Sequence, residues 1–512
     1  MTMTSFPFFV LVGGLLVLYY YLPSRCQPYL LILASFIFCW YAGGRRMLLF
    51  LSMSIFTTWV SALLLERTTD RGKKYAILGS TIALNLGILF IFKYLNFFVY
   101  TGQSVGHTLG IEVPLQKICM VAPLGLSFYT LQVLGYLLDV SRKTCRAETS
   151  LLRYMLFAGF FPQLVQGPIN RYGEMAQTLY LEKKFNYEKV TFGLQRMVWG
   201  LFKKLVISER MAVIVGTIYG DYFTYSGFYI GIGTVCFAVQ LYADFSGAMD
   251  IALGLSEALG IRMLENFDTP FFSRSVSEYW RRWHITLGTW MKDYVFYPLL
   301  KSDLFVAIGE KAKKRLGKKR GKKIPTYLGM VILWFTVGLW HGGEWKYIIG
   351  SGLLHCFYII SGQLLDPAFK KIISIFRINT ACFGYYLFQM LRTFFLVCIG
   401  FVFFRAGTVK EAFQMLRASL FFNPWIFIDG SLFRLGLDPY DLSIGIIAIL
   451  IFFSVSLLQQ HFHAKGKTLR SRLAEQKLPF RWMIYYGMIF SILIFGFYGP
   501  GYDVSTFIYQ NF

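Results

Sequence analysis

The chain has 512 residues, of which 56% are hydrophobic, 19% are aromatic and only 15% are charged, and this composition excludes a soluble globular domain of that length. The net charge of +24 does not indicate a nucleic-acid-binding protein, because the Lys and Arg residues lie in short loops between apolar runs. In such loops they set the orientation of membrane proteins. We therefore expect contact with membrane lipids and no nucleic-acid partner.

Apolar runs of about 17 to 25 residues recur along the whole chain, which is the length that a helix needs to cross a bilayer. They predict an all-α polytopic membrane protein of about 11 to 13 transmembrane helices, with interfacial and re-entrant helices around a central channel. We expect residues 1–512 to form a single multi-span membrane domain. The first run, residues 6–22, has no Lys or Arg ahead of it, so we interpret it as a span and not as a signal peptide. None of the eight cysteines forms a CxxC pair, so we expect no disulfide framework and no metal site.

Basic loops predict the orientation. Nine of the thirteen residues 311–323 are Lys or Arg, so we expect this segment on the cytoplasmic side, in contact with anionic headgroups. Counting spans from there places a second basic loop, residues 463–472, on the same side. The C-terminal segment 499–512 is then expected outside the cytoplasm.

Asp244, Ser246 and Asp250 form a DxSxxxD pattern. On a helix, Ser246 and Asp250 are four residues apart and share a face, whereas Asp244 and Ser246 do not. We interpret the three residues as a polar network that holds the core together, and a metal site is the less favoured alternative.

Residues 273–299 mix aromatic and charged side chains and do not have the character of a span. Three tryptophans recur in this segment at helical intervals: Trp280, Trp283 and Trp290. The pattern predicts an amphipathic helix that either lies in the membrane interface or is folded into the protein at partial depth. His284 is the one residue of the segment that titrates near neutral pH. Asn266, before it, is expected to cap and turn the chain.

The sequence TVGLWHGGEW, residues 336–345, places His341 at the end of an apolar run. Seventeen apolar residues precede it and would rise about 25 Å as a helix, so the imidazole is expected deep in the membrane. One interpretation is a neutral imidazole that is hydrogen-bonded between two helices, and the other is a functional group. Gly338, Gly342 and Gly343 would leave room for a substrate beside the ring. Glu344 is a candidate to orient the ring, or else a solvated carboxylate at the rim.

Both histidine segments resemble parts of a known family. WRRWHITLGTWMKDYVFYPL around His284, followed by GLWHGGEW around His341, resembles the membrane-bound O-acyltransferase family. The resemblance is to the bacterial branch that includes the membrane subunits of alginate O-acetylation and of teichoic acid D-alanylation. Further segments are similar to that branch in the same order: LGLSFYTLQVLGYLLDVSR, FFPQLVQGPINRY, YADFSGAMDIALGLSEALG, ENFDTPF and FVFFRAGTVKEAF. The resemblance covers about residues 90–420, and residues 421–512 would add C-terminal spans and an extracytoplasmic tail.

The resemblance implies acyl transfer from a thioester to a hydroxyl group. His341 matches the family's catalytic histidine, and a neutral imidazole is suited to take the proton of a hydroxyl near pH 7. His284 matches the second histidine of the motif and is expected to bind or orient the thioester donor. Five neighbouring residues are candidate substrate contacts together with Glu344: Trp280, Trp283, Trp340, Arg281 and Arg282. Of these, the two arginines would meet donor phosphates or, as an equal alternative, lipid headgroups.

The tail STFIYQNF, residues 505–512, resembles the F-x-Y-x-x-F ending of the small partner peptide in D-alanylation systems. That resemblance implies a relay, in which His341 deprotonates Tyr509 and the phenol oxygen of Tyr509 carries the acyl group. The alternative is that the tail is only an aromatic anchor at the membrane interface.

We therefore expect an O-acyltransferase of a bacterial cytoplasmic membrane that passes an acyl group, most simply acetyl, toward an extracytoplasmic polysaccharide. Acetyl-CoA or an acyl carrier protein would be the donor, with no bound cofactor, and a soluble extracytoplasmic acyltransferase would collect the acyl group. D-alanyl transfer to teichoic acid is the alternative reaction. A flippase or transporter, or a scaffold for a soluble acyltransferase, is the alternative of another class.

Overall fold

A computed structural model describes residues 1–111, 114, 121–499 and 507–508. These residues form helices joined by short loops, with no strand among them and one isolated backbone bridge between Phe267 and Trp283. The prediction of an all-α polytopic membrane protein is confirmed.

Eight helical segments of the described residues are long and apolar enough to cross a membrane. They are Ser24–Arg67, Arg71–Thr108, Phe228–Ala258, Ile324–His341, Trp345–Ile375, Phe383–Arg405, Pro439–His463 and Leu478–Phe495. We call Phe228–Ala258 the central helix and Ile324–His341 the histidine helix.

The other helices of eight or more residues are Phe6–Tyr21, Leu126–Ser141, Leu151–Gly159, Tyr172–Leu179, Tyr187–Phe202, Glu209–Gly220, Asp303–Gly321 and Val409–Ala418. The predicted count of about 11 to 13 spans included residues 6–22, which here form an apolar helix of only 16 residues. This helix is therefore one segment that the predicted count includes and the eight candidate spans do not.

Four π-helical turns interrupt these helices at Phe90–Tyr94, Lys203–Ser208, Lys292–Phe296 and Ile348–Leu353. Each turn directly follows one α-helix and directly precedes another. π-Turns of this kind are rare and are frequent at functional sites.

The central helix packs antiparallel against Tyr187–Phe202 at the distance that glycine permits. A Cβ atom on Gly254 would lie 2.5 Å from the carbonyl oxygen of Gly193, and one on Gly200 would lie 2.6 Å from that of Gly247. Small residues at such crossings let two membrane helices approach until their backbones touch. The contact brings the π-turn Lys203–Ser208 against the middle of the central helix.

The segment 273–299 is folded into the protein, which is the second of the two predicted arrangements. It forms two short helices, Val276–Arg282 and Ile285–Met291, instead of the one continuous helix that the tryptophan spacing predicts. Trp283 is extended and His284 takes a left-handed conformation, with φ of 47°, so the helix breaks between them. The isolated bridge from Phe267 to Trp283 replaces the helical hydrogen bonds at this point.

We predict that Gly254→Ala destabilises the protein by about 1–3 kcal/mol, because the added methyl group must push two helix backbones apart. Thermal unfolding of the purified chain in detergent measures this. Gly231→Ala in the same helix is the matched control, since a Cβ atom there meets nothing within 4 Å. Equal melting temperatures for the two variants would contradict the close helix contact.

Candidate active site

His341 is the last residue of the histidine helix and is buried, with 2% of its surface exposed. The glycines around it do not leave the open room that the sequence suggests. A Cβ atom on Gly338 would lie 2.6 Å from the Cα of Ile348, and one on Gly342 would lie 2.5 Å from the ring of Tyr347. These glycines therefore allow the protein's own chain to pack closely around the end of the helix.

His341 lines two cavities, which otherwise have different lining residues. The first has about 520 Å³ of empty space, part of it open to solvent, and lies against the chain from Ala122 to Phe128. Its other lining residues are Lys93, Val165 and Trp340. The second has about 310 Å³ and is lined by Leu241, Tyr279, Trp280, Trp283, Ser351, His355, Gly400, Phe401 and Phe404 as well as His341. A group that enters either cavity can reach the same imidazole.

His284 is buried in the same core and does not lie at the interface. Its ring is 5.5 Å from the ring of Trp340, measured between centroids, and Trp340 is in turn 5.3 Å from the ring of His341. The ring of Phe245, from the central helix, lies 4.9 Å from His284 on another side. The two histidines therefore flank one indole.

Asn266 fixes the orientation of His284. Its side-chain oxygen accepts hydrogen bonds from Nδ1 of His284 at 3.2 Å, and from the backbone N–H and the hydroxyl of Thr286 at 3.1 and 2.9 Å. An amide oxygen can only accept, so Nδ1 of His284 carries the proton and Nε2 is the basic nitrogen of the neutral ring. Burial, with a smaller contribution from repulsion by His341, lowers the pKa of His284 well below its usual value.

Of the residues that the sequence predicts as substrate contacts, the tryptophans line the cavities, whereas the charged residues do not. Trp280 and Trp283 line the second cavity. Arg281 is exposed, whereas Arg282 forms an ion pair of 2.8 Å with Glu278. Glu344 is also exposed and pairs with Lys346 at 3.4 Å, as expected of a carboxylate at the rim and not of one that orients His341.

Asp244, Ser246 and Asp250 meet two adjacent buried lysines of the π-turn Lys203–Ser208. Lys203 donates to Ser246 at 2.8 Å and pairs with Asp250 at 2.6 Å, while Lys204 pairs with Asp244 at 2.6 Å. Arg196 adds a second cation beside Asp250, at 2.9 Å. Within the described parts of the chain, no group of three or more His, Cys, Asp or Glu residues is arranged to hold a metal ion.

The described part of the tail lies in this network. Phe507 is buried, its ring is 4.6 Å from Nζ of Lys204, and the backbone N–H of Ile508 donates to Asp244 at 2.9 Å. Tyr509, the predicted acyl carrier, lies outside the described residues.

Three residues near the two histidines were not singled out from the sequence as functional: Lys93, Asn266 and His355. Lys93 carried a usable signal, because it is a lone cation in the apolar run ILFIFKYLNFF. His355 is buried and lines the second cavity, with its ring 5.0 Å from that of Trp280. Asn266 gave no comparable signal, because only the fold brings it to His284.

Comparisons with known proteins agree with the resemblance. A family model described as MBOAT, membrane-bound O-acyltransferase family, matches residues 36–308, which include His284 but not His341. The chain is 31% identical to a probable alginate O-acetylase AlgI of Pseudomonas syringae pv. tomato, over 80% of this chain and 73% of that protein. It is 27% identical to a peptidoglycan O-acetyltransferase of Helicobacter pylori, over 80% of this chain and 77% of that protein. It is 25% identical to a teichoic acid D-alanyltransferase of Bacillus subtilis, over 53% of this chain and 69% of that protein.

We predict that Asn266→Ala destabilises the protein by about 1–3 kcal/mol for each buried donor that loses its acceptor. Thermal unfolding in detergent again provides the measurement. Gln177→Ala removes an exposed side-chain amide and should leave the melting temperature unchanged. If Asn266→Ala has the same melting temperature as the parent, His284 and Thr286 do not depend on this oxygen.

Proposed function

Because the chain belongs to the membrane-bound O-acyltransferase family, we propose that it moves an acetyl group from a cytoplasmic thioester toward a hydroxyl group of an extracytoplasmic polysaccharide. Its helices and its family make it a multi-pass membrane O-acyltransferase. The bacterial cytoplasmic membrane as its location, the thioester donor and the direction of transfer belong to the proposal.

One observation supports this proposal most strongly: His341 is shared by two cavities whose other lining residues are different. A transferase that joins a donor and an acceptor from opposite faces of a membrane needs one base that both can reach. The aromatic second cavity, with Trp280 and Trp283, suits the apolar arm of a thioester donor. Arg281 is exposed and lies between these tryptophans in the sequence, so it suits donor phosphates. The first cavity would then receive the acceptor.

We favour acetyl over D-alanyl as the acyl group because the similarity to the acetyl-transferring relatives extends over more of this chain. The acetyl-transferring relatives match 80% of this chain, whereas the D-alanyltransferase of Bacillus subtilis matches 53%. We therefore propose an O-acetylated envelope polysaccharide as the final product and keep teichoic acid D-alanylation as the alternative. Acetyl-CoA or an acyl carrier protein would supply the acyl group.

The chemistry follows from the need to activate a hydroxyl. Neutral His341 takes the proton of the acceptor, and the acceptor oxygen attacks the carbonyl carbon of the thioester. The carbon–sulfur bond breaks, and the departing thiolate takes the proton back from the imidazolium. The products are an oxygen ester and a free thiol. His284, with Nδ1 held by Asn266, would orient the donor through its other nitrogen.

We also propose that the first acceptor is Tyr509. The support is that Phe507 and Ile508 are anchored at Lys204 and Asp244, in the core and not at the membrane surface. Phe245, next to Asp244, contacts His284. Tyr509 follows Ile508 directly in the sequence. The aryl ester would then pass its acyl group to a soluble extracytoplasmic acyltransferase, with release of the phenol.

We predict that His341→Ala lowers polymer acylation by about 10²-fold or more, because the hydroxyl then lacks its general base. The measurement is the acetyl content of the polymer from cells that carry only the variant, at matched amounts of protein in the membrane. His461→Ala, at an exposed histidine, is the control and should be fully active. A flippase or a scaffold predicts instead that both variants retain the parental acetyl content.

The relay predicts that Tyr509→Phe abolishes acylation, since it removes only the phenol oxygen and keeps the aromatic ring. Intact-mass analysis of the parental chain incubated with acetyl-CoA should show one added acetyl group, and the variant should show none. Tyr502→Phe is the control within the same C-terminal segment. Parental acylation by Tyr509→Phe would leave the tail as an anchor and remove it from the reaction.

A further inference from the structure

Lys93 is a half-buried cation inside a candidate membrane span. It lies in the π-turn Phe90–Tyr94 of the segment Arg71–Thr108, among apolar and aromatic neighbours. A charged side chain at such a position is costly and is retained for a reason. The π-turn is a second unusual feature at the same residue, and turns of this kind are frequent at functional sites.

The contacts of Lys93 differ from those of the two fully buried lysines, Lys203 and Lys204. Nζ donates to the backbone oxygen of Trp340 at 2.5 Å and to the hydroxyl of Ser127 at 3.1 Å. Lys203 and Lys204 pair with carboxylates, but no carboxylate within the described ranges forms an ion pair with Lys93. An ammonium group has three N–H bonds, so these two acceptors leave one bond for a ligand.

Lys93 and His341 face the same space. Both line the first cavity, and Ser127 lies in the same lining. The acceptor that holds Nζ is the carbonyl of Trp340, the residue directly before His341. Nζ also lies 5.4 Å from the centre of the Trp340 ring. The ammonium is therefore hydrogen-bonded to the peptide group that joins Trp340 to His341, the proposed base.

We propose that Lys93 donates the hydrogen bond that stabilises the oxyanion formed when the acceptor attacks the thioester. When the acceptor oxygen bonds to the carbonyl carbon, the carbon–oxygen π electrons move to the carbonyl oxygen, which becomes negative. A charged N–H donor that is already fixed beside this oxygen lowers the barrier. The oxyanion then collapses, the carbon–sulfur bond breaks and the thiolate leaves. Lys93 keeps its proton throughout.

His341 does not supply this stabilisation, because it is occupied with the proton of the acceptor. The carbonyl of the donor must reach His341 to react, and His341 also lines the first cavity together with Lys93. An oxygen that points from there into the first cavity faces the ammonium of Lys93. This assignment rests on the proposed function and adds to it the group that recognises the thioester carbonyl.

The test is Lys93→Met, which keeps the length of the side chain and removes only the charged donor. The 512-residue chain in lipid nanodiscs is given acetyl-CoA, and thiol release in the first turnover, in which Tyr509 of the same chain is the acceptor, is measured together with the melting temperature. We expect the rate constant of this turnover at saturating acetyl-CoA to fall by about 10²–10³-fold, as for other oxyanion donors, with the apparent KM for acetyl-CoA changed little. The melting temperature identifies any loss of stability, because the carbonyl of Trp340 and the hydroxyl of Ser127 lose their donor in this variant.

Two further variants make the result decisive. Lys73→Met, at an exposed lysine in the first turns of the same span, should equal the parent. Lys93→Arg keeps a charged donor and should retain more activity than Lys93→Met. The assignment is wrong if Met and Arg are equally active, if only KM changes, or if the loss of activity follows a loss of folded protein.

Cells provide a second measurement that does not depend on the identity of the donor, namely the acyl content of the polymer at matched expression. His341→Ala separates the two proposals in both assays. If His341→Ala remains active, the proposed function fails. If His341→Ala is inactive while Lys93→Met equals the parent, only the role of Lys93 fails.

Discussion

The pairing of two adjacent lysines with carboxylates of the central helix is the interaction on which the site depends. Lys203 and Lys204 are both buried, and each would be prohibitively unstable there without Asp250 and Asp244. The glycine contacts between the central helix and Tyr187–Phe202 bring the charges within reach. The central helix also carries Phe245, whose ring packs against His284. The ion pairs that hold this helix therefore also help to position His284.

The two histidines reach the core by different routes, and both routes depend on a break in a helix. His341 ends its helix where glycines let the chain turn back closely. His284 lies at a break between two short helices, where its positive φ and the oxygen of Asn266 set the direction of the ring. Catalytic geometry in a bilayer is costly, because every interrupted helix leaves backbone groups that need partners. Here Asn266 and the bridge at Trp283 provide them.

Much of this arrangement could be predicted from local sequence, and the remainder could not for physical reasons. Apolar length predicted the spans, and an imidazole at the end of an apolar run indicated His341. The helical spacing of the tryptophans wrongly predicted one helix across His284, because a tertiary hydrogen bond to Asn266 overrides local periodicity there. Lys93 had a local signal but no visible purpose, since its partner is a carbonyl 247 residues away along the chain.

The π-turns have a consequence for how such a chain changes over time. A π-turn contains one residue more than the α-helix needs, so it marks a place where a single codon can be gained or lost without breaking the helix. Loss of that residue would rotate the remainder of the helix by about 100°. At Phe90–Tyr94 the turn itself includes Lys93, and at Lys203–Ser208 it includes Lys203 and Lys204. A one-residue deletion there would keep every hydrophobic span and would still turn the lysine side chain toward a different part of the protein. Related proteins that differ by such a deletion could therefore differ in chemistry while their hydropathy profiles stay alike.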